Sequence, residues 1–475
     1  MKGVEFQELE LDILRNAIKN IEEKSKRMQI SDPSIKKIIS IVEDFLRKKK
    51  LICYGGTAIN NILPYNDQFY DKSIELPDYD FFSTTPVEDA KELVDIYVKE
   101  GFSEVEAKSG VHFGTYKVFV NFIPVADITY LDPIIFKSLK KESKKIDGIY
   151  YAAPNFLRMA MFLELSRPKG DVSRWEKVLK RLTLLNKHYP LKTKDCDEVE
   201  IQRIFDDTKI SKAEQDKIFY TVRNALLTDD VVFFGAFANR LYLKNLNEFK
   251  KKKFHPIPDF DVLSEEPERT ATIVKERLRD EGFKYVKVIK KKGLGEIIAP
   301  HYEVVIGDDT VAFVYEPLAC HSYNKIKIGN RMVKVATIDT MLSFYLAFLY
   351  ANRPYYNAHR ILCMAQYLFK VQQQNRLKQK GILRRFTIKC IGTQKTIETI
   401  RKEKSDKYNE LKNERGTKEY EKYFLKYAPQ EDKMKSKKER KNKTQKKKNG
   451  SKKKNNNKKT VSKKKGLLER IESIF

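Results

Sequence analysis

Three aspartates are the residues whose type and spacing could do chemistry. Asp78 and Asp80 stand two apart in Leu76-Pro77-Asp78-Tyr79-Asp80-Phe81-Phe82, and Asp127 closes the apolar run from Phe119 to Ala126. Residues i and i+2 of a strand face the same way, so the first two present their carboxylates side by side. A neighbouring strand would bring the third. Carboxylates packed that closely repel one another. Hard divalent cations, which take oxygen ligands, relieve the repulsion. Two such ions about 3.5–4 Å apart can clamp the attacking and leaving oxygens of a phosphoryl displacement. Upstream lies the turn Tyr54-Gly55-Gly56-Thr57. A glycine pair lets the backbone approach a ligand closely, and the start of the helix that follows is a site for anions.

These residues need elements to hold them. Asp32-Pro33-Ser34 can cap a helix that runs to the cluster Lys48-Lys49-Lys50. Leu51 to Tyr54 reads as a short buried strand, turned by the glycines into a helix from Thr57 to Leu63. Asp78 to Phe82 is the next strand, and Pro86 to Glu100 a helix stopped by Gly101. Gly114 to Pro124 reads as one long strand continued by Val125 to Tyr130. Asn155 to Leu165 and Ser173 to Lys187 are expected to be helical, the second carrying Trp175 among Arg174, Lys177, Lys180 and Arg181. Residues 4–29 carry Leu9, Ile13, Ala17 and Ile21 at helical spacing.

The second half repeats this plan. Val231 to Ala236 echoes Leu51 to Gly56, and Pro258-Asp259-Phe260-Asp261 echoes Pro77 to Asp80. The helix ending at Gly282-Phe283 echoes the one ending at Gly101-Phe102, and Tyr302 to Val314 echoes Tyr116 to Ile128. A duplicated α/β unit with one small insertion accounts for the match. The copies differ where chemistry would matter. Gly56 becomes Ala236 and Asp127 becomes Phe313, which cannot ligate a metal; Glu316 is the alternative acid nearby. The second unit is therefore expected to be structural or to contact RNA, with Asp259 and Asp261 as relics or turn-formers.

Composition narrows the class. The chain has 475 residues, 41% hydrophobic and 11% aromatic, enough for real cores, and a formal charge of +29 that calls for a polyanionic partner. From Lys433 to Lys465, 18 Lys and Arg face a single acid, Glu439, so this stretch holds more than half of the net charge. A segment so poor in apolar residues does not bury enough surface to order itself. It reads either as a solubilising charge run or as an electrostatic tether for RNA. The five cysteines show no Cys-x-x-Cys pair, which predicts neither a zinc site nor a disulfide framework and favours a reducing setting. No signal-peptide core opens the chain, and the longest apolar run, Met341 to Ala351, is too short to cross a bilayer. The six histidines show no ligand spacing.

Gly55-Gly56, Asp78-x-Asp80 and the later Asp127 resemble the nucleotidyltransferase superfamily of DNA polymerase beta and the poly(A) polymerases. The longer blocks Leu51 to Asn61, Pro77 to Leu93, Val125 to Tyr130 and Asp171 to Pro190 are similar to the poly(A) polymerase catalytic subunits of poxviruses, African swine fever virus and giant DNA viruses. The resemblance covers roughly residues 35–370. It implies an α/β (α+β) fold of two tandem nucleotidyltransferase-like domains, each a mixed sheet flanked by helices, the second degenerate. The boundaries expected are N-terminal helices over 1–50, a catalytic domain over 51–190, the degenerate domain over 191–335, a helical region over 336–428 and a disordered Lys-rich tail over 429–475. The resemblance further implies transfer of AMP from ATP to an RNA 3′ end. Asp78 and Asp80 would hold two Mg²⁺ or Mn²⁺ ions, and Asp127 the one that activates the 3′-hydroxyl. Gly55, Gly56 and Thr57 would cradle the triphosphate. Read from the residues themselves, the basic face of the 173–187 helix offers Arg174, Lys177 and Arg181 to line an RNA or nucleotide groove. Other terminal transfer (uridylyl or mixed tails) and a non-catalytic RNA-binding scaffold are the alternatives. The partners expected are RNA, ATP and either a second copy of the chain or a processivity subunit, with no membrane. The setting expected is the infected-cell cytoplasm, with packaging in the virion as a further expectation.

Overall fold

The computed structural model describes residues 8–18, 20–22, 32–70, 77–196, 202, 210–246, 257 and 259–430. Helix α1 (Pro33–Lys49) begins as its sequence dictates. The Asp32 carboxylate accepts from Ser34 N–H and Pro33 occupies the first turn, while Ile35, Ile38, Val42, Phe45 and Leu46 bury one face. It ends with Arg47, Lys48 and Lys49 in the last turn and Lys50 in the left-handed region.

The first sheet has eight strands in the order β16-β3-β4-β5-β2-β1-β7-β6. They are β1 (Ile52–Cys53), β2 (Tyr79–Ser83), β3 (Val105–Ser109), β4 (Thr115–Val120), β5 (Ile123–Tyr130), β6 (Lys144–Ile146), β7 (Ile149–Tyr151) and, from far downstream, β16 (Lys426–Tyr427). Helices α2 (Gly55–Ile62), α3 (Pro86–Lys99), α4 (Pro133–Glu142), α5 (Pro154–Leu165) and α6 (Trp175–His188) complete this part. After α7 (Lys212–Thr228) comes the second sheet, in the order β10-β11-β12-β9-β8-β14-β13-β15. Its strands are β8 (Val232–Phe234), β9 (Phe260–Leu263), β10 (Val286–Lys291), β11 (His301–Ile306), β12 (Asp309–Tyr315), β13 (His321–Ile328), β14 (Arg331–Ala336) and β15 (Cys390–Ile391). Its helices are α8 (Gly235–Leu243) and α9 (Pro267–Asp280). Seven strands of each sheet follow one order, so the duplication seen in the sequence is a duplication of topology. Both odd strands come from the C-terminal stretch: β16 extends the first sheet at β3, and β15 extends the second at β13.

The long strands expected over 114–130 and 302–314 are instead hairpins. β4 reverses into β5 through Asn121 and Phe122, both at positive φ, and β11 reverses into β12 through Gly307. Hydrophobic alternation runs on through such a turn because both arms pack the same sheet faces, so the period alone hides the reversal. The apolar stretch over 336–371 likewise breaks into α10 (Ile338–Phe348) and α11 (Ala358–Gln374), with Asn352 in the left-handed region and Pro354 between them. The stretch over 336–428 thus holds two short strands besides α12 (Ile397–Leu411) and α13 (Lys418–Phe424). Ten of the eleven α10 residues are buried, among them Asp339, which is ion-paired with Arg385 at 2.6 Å. The helix packs against α5 and α11 and touches β13 of the second sheet. Tyr350 then meets the first half, with its ring edge-on to Phe156 at 5.2 Å and its hydroxyl donating to Glu142 at 3.2 Å. Ser322 N–H donates to Ser166 O at 2.9 Å across the same boundary. Both sheets belong to one compact unit that ends at Tyr427.

Four cysteines are paired, Cys196–Cys363 and Cys320–Cys390, which corrects the expectation of unpaired thiols. The partners lie 167 and 70 residues apart in the chain and only 5.3 and 5.2 Å apart at Cα, a proximity that no local spacing reveals. Cys53 is a buried free thiol, as its strand suggests. The N-terminal helix is described over 8–18 and 20–22, where Leu9, Ile13, Leu14 and Ile21 are more than half exposed. No helix among the described residues is long and apolar enough to cross a membrane. The tail from residue 431 onward lies outside the described residues.

Candidate active site

Strands β2 and β5 run parallel, and their register sets Asp80 directly beside Asp127. Asp78 precedes β2 by one residue and lies within electrostatic range of Asp127. Strand β1 runs antiparallel to β2 and delivers the glycine turn to the same end: Tyr54 N–H donates to Asp80 O at 2.9 Å, and Gly55 sits at φ +70°. Helix α2 starts there. A side chain on Gly55 would place its Cβ 2.6 Å from the Asp80 carboxylate, so both the conformation and the space demand glycine. Thr57 turns its hydroxyl inward to Asp78 O at 2.6 Å, bracing the strand entrance rather than facing a ligand.

The electrostatics of the three acids record their crowding. Burial, then Asp78 and Asp127, push the Asp80 carboxyl up to about 7. Burial and then Asp127 also raise that of Asp78. Asp127 gives one carboxylate oxygen to the Lys117 ammonium, which stands opposite it on β4. Its other oxygen, Oδ1, is buried without a hydrogen-bond partner. Among the described residues no three His, Cys, Asp or Glu side chains are drawn to metal-ligand distances. The donor set nonetheless fits hard divalent cations: an orphaned carboxylate oxygen, two raised acids and a glycine cradle share one strand end.

The predicted basic residues separate. Arg174 is exposed, pairs with Glu164 at 3.1 Å and lowers the Asp80 carboxyl from a distance. Lys177 is exposed on the next turn. Arg181 instead reaches the glycine turn, donating to the Tyr70 hydroxyl at 2.6 Å. Trp175 is half-buried; its indole donates to Glu164 O and packs against Phe386. Lys117, Phe69 and Tyr70 had no place among the predicted residues. Lys117 becomes visible only once 114–130 is seen as a hairpin, which sets it across from Asp127.

In the second sheet β9 and β12 pair in the same way, but the register sets Phe313 beside Asp261. Gly235 keeps the left-handed φ, at +66°. Glu303 faces Phe313 where Lys117 faces Asp127. Buried Asp259, the counterpart of Asp78, is ion-paired with Arg360 of α11 at 2.7 Å. Glu316 lies beyond the end of β12 and does not replace the lost acid.

A mixed sheet with a glycine turn leading into a helix, two acids at the start of one strand and a third beside them on a parallel neighbour is a nucleotidyltransferase fold. Residues 40–171 match the family described as poly(A) polymerase catalytic subunit. Acanthamoeba polyphaga mimivirus has a putative poly(A) polymerase catalytic subunit 34% identical over 191 residues, 39% of this chain and 31% of that protein. The corresponding protein of African swine fever virus, strain Badajoz 1971 Vero-adapted, is 34% identical over 173 residues, 35% of this chain and 36% of its own. The matched part thus spans about a third of the length of these curated relatives. Across nearly its whole length the chain shares the fold of the Megavirus polyadenylate synthase, with a TM-score of 0.75, 22% identity, and coverage of 91% of this chain and 86% of that one. The sequence resemblance to viral poly(A) polymerase catalytic subunits and the nucleotidyltransferase fold therefore stand together.

Proposed function

We propose that the chain is a template-independent polynucleotide adenylyltransferase, adding AMP from ATP to RNA 3′ ends by a two-metal mechanism. The observation that carries this is the register of Asp80 against Asp127, with Asp78 one residue outside the strand. Divalent ions, when bound, would supply the positive charge that lowers the pKa of the RNA 3′-hydroxyl and steadies the leaving pyrophosphate. Asp78 and Asp80 would hold both ions, and Asp127 the one beside the 3′-hydroxyl. The backbone of Gly55 and Gly56 admits the triphosphate at the start of α2, where helix N–H groups favour anions. Little covalent chemistry is asked of the protein; it positions and neutralises. The RNA is drawn by the net charge of +29. A second copy of the chain or a processivity subunit would keep the enzyme on its transcript, in the infected-cell cytoplasm.

The test is primer extension by the full chain with a short RNA, Mg²⁺ or Mn²⁺ and each nucleoside triphosphate in turn. Elongation with ATP alone is the expected result. Elongation that prefers UTP would make it a uridylyl transferase. RNA binding without elongation would make it a scaffold.

A further inference from the structure

Gly56 raises a question that its conformation does not answer. Its φ lies outside the left-handed region, so an alanine could adopt the backbone. What a side chain would have to displace is its surroundings. A Cβ there would collide with the Tyr70 hydroxyl and lie 3.0 and 3.2 Å from the two terminal nitrogens of Arg181. A guanidinium, not apolar packing, lies against the first turn of α2.

That guanidinium is held with care. It stacks over Phe69 at 4.7 Å and Tyr70 at 5.4 Å, and it donates to the Tyr70 hydroxyl. The segment carrying these rings is itself clamped. Buried Asn60 of α2 accepts from both Phe69 and Tyr70 N–H groups, and Asp67 takes Lys187 and His188 from the end of α6. Other cations of α6 are matched with acids: Lys180 with Glu176 and Lys187 with Asp67. Among the described residues Arg181 forms no ion pair within 4 Å. Glu164 is within electrostatic range but is ion-paired with Arg174 at 3.1 Å. A pre-positioned guanidinium outside ion-pair distance of any acid among the described residues, beside a glycine and a helix start, has the charge, fork geometry and setting to receive phosphate.

We infer that Arg181 binds the polyphosphate of the incoming nucleotide, with Phe69 and Tyr70 holding its guanidinium ready, which decides for this residue between the RNA and nucleotide grooves that the basic helix left open. The inference rests on the proposed nucleotidyl transfer and names the residue that reads the leaving pyrophosphate. The Tyr70 hydroxyl is a neutral acceptor that a phosphate oxygen outcompetes, so the contact is exchanged when nucleotide enters. Arg174 and Lys177, facing solvent on the preceding turns, remain available to RNA.

The test measures binding apart from turnover. Titration calorimetry with Mg²⁺-ATP and with inorganic pyrophosphate is run on the full chain, Arg181→Ala, Arg181→Lys and Tyr70→Phe, beside anisotropy with a short RNA at fixed salt. Arg181→Ala is expected to weaken ATP and pyrophosphate about tenfold or more, the loss of a charge-assisted hydrogen-bonded pair, and RNA by less than about threefold. Arg181→Lys recovers part of this, because an ammonium lacks the bidentate fork. Tyr70→Phe moves ATP affinity by less than about threefold. In extension assays the effect falls on KM for ATP and on inhibition by pyrophosphate. A loss confined to RNA binding would overturn the assignment, as would unchanged ATP affinity in both Arg181 variants. Should Arg181→Ala melt early, Arg181→Lys carries the test alone. A wild-type chain that fails to extend RNA with any of the nucleoside triphosphates would refute the proposed function, while the binding comparison would still decide the role of Arg181.

Discussion

The two sheets are the same machine with different solutions to buried negative charge. In the first, Asp78, Asp80 and Asp127 share one strand end, with Lys117 as the adjacent cation and the Asp80 carboxyl pushed up to about 7. In the second, the third acid is the ring of Phe313, and Asp259 is matched by Arg360, a cation built into the chain. Both keep the left-handed glycine that clears the strand acid. The lesson is that the scaffold requires the glycine and tolerates the acids, whereas only the first copy leaves an acid excess for an external cation. The two copies thus differ at an acid and a glycine, Asp127 against Phe313 and Gly56 against Ala236, without a change of topology.

That contrast can be broken or sharpened by experiment. The largest effect is expected from Asp78→Ala and Asp127→Ala, each lowering primer extension by at least about 10²–10³-fold with little loss of melting temperature. Asp259→Ala should do the reverse. It removes the buried acid that pairs with Arg360 at 2.7 Å and costs roughly 3–5 kcal/mol of stability while extension per folded molecule stays near wild type. Denaturant titration of Asp259→Ala, Arg360→Met and the double variant reads the coupling; a double variant as unstable as the sum of the singles would mean that the pair is not a pair. An equal loss of extension from Asp259→Ala and Asp78→Ala, both folded, would erase the proposed difference between the copies.

The third prediction concerns acid. Burial drives the His301 pKa in the second sheet down to about 4; its Nδ1–H donates to Ala299 O, its Nε2 accepts from the Tyr355 hydroxyl, and the ring stacks on Tyr315. The folded state holds it neutral while the unfolded chain protonates near pH 6.5. The unfolded state therefore binds more protons between those values. The stability contributed is present above about pH 6.5 and is lost as pH falls to about 4, by roughly 3 kcal/mol. His301→Phe should flatten that part of the stability profile without altering extension at neutral pH. The smallest effect separates the two glycine positions. Gly56→Ala displaces the flexible ends of Tyr70 and Arg181, so extension falls severalfold while stability moves by about 1 kcal/mol or less. Ala236→Gly, at the matching place, costs only about 0.5–1 kcal/mol and no activity.

Much of the site could be read before any coordinates. The i, i+2 spacing of Asp78 and Asp80, the glycine turn and the loss of an acid at Phe313 all follow from strand period and alignment of the repeat, and the register of β12 on β9 places Phe313 where the alignment does. The hairpins were hidden, because alternation persists through Asn121-Phe122 and Gly307. Lys117 was hidden with them. Arg174, Lys177 and Arg181 form one basic helix in the sequence, yet only the last reaches the glycine turn, since the helix phase and the 63–70 segment decide which turn meets α2.

The amino-acid sequence alone determined which residues can share a face, where the backbone must bend, and that one plan is used twice. These are consequences of local geometry: a period of two, a glycine φ, a proline start. The tertiary structure alone decided which charge neutralises which. Lys117 with Asp127, Arg360 with Asp259 and the two disulfides join residues from 10 to 167 apart in the chain. Electrostatic pairing depends on distance in space, and that distance exists only once the sheets have closed.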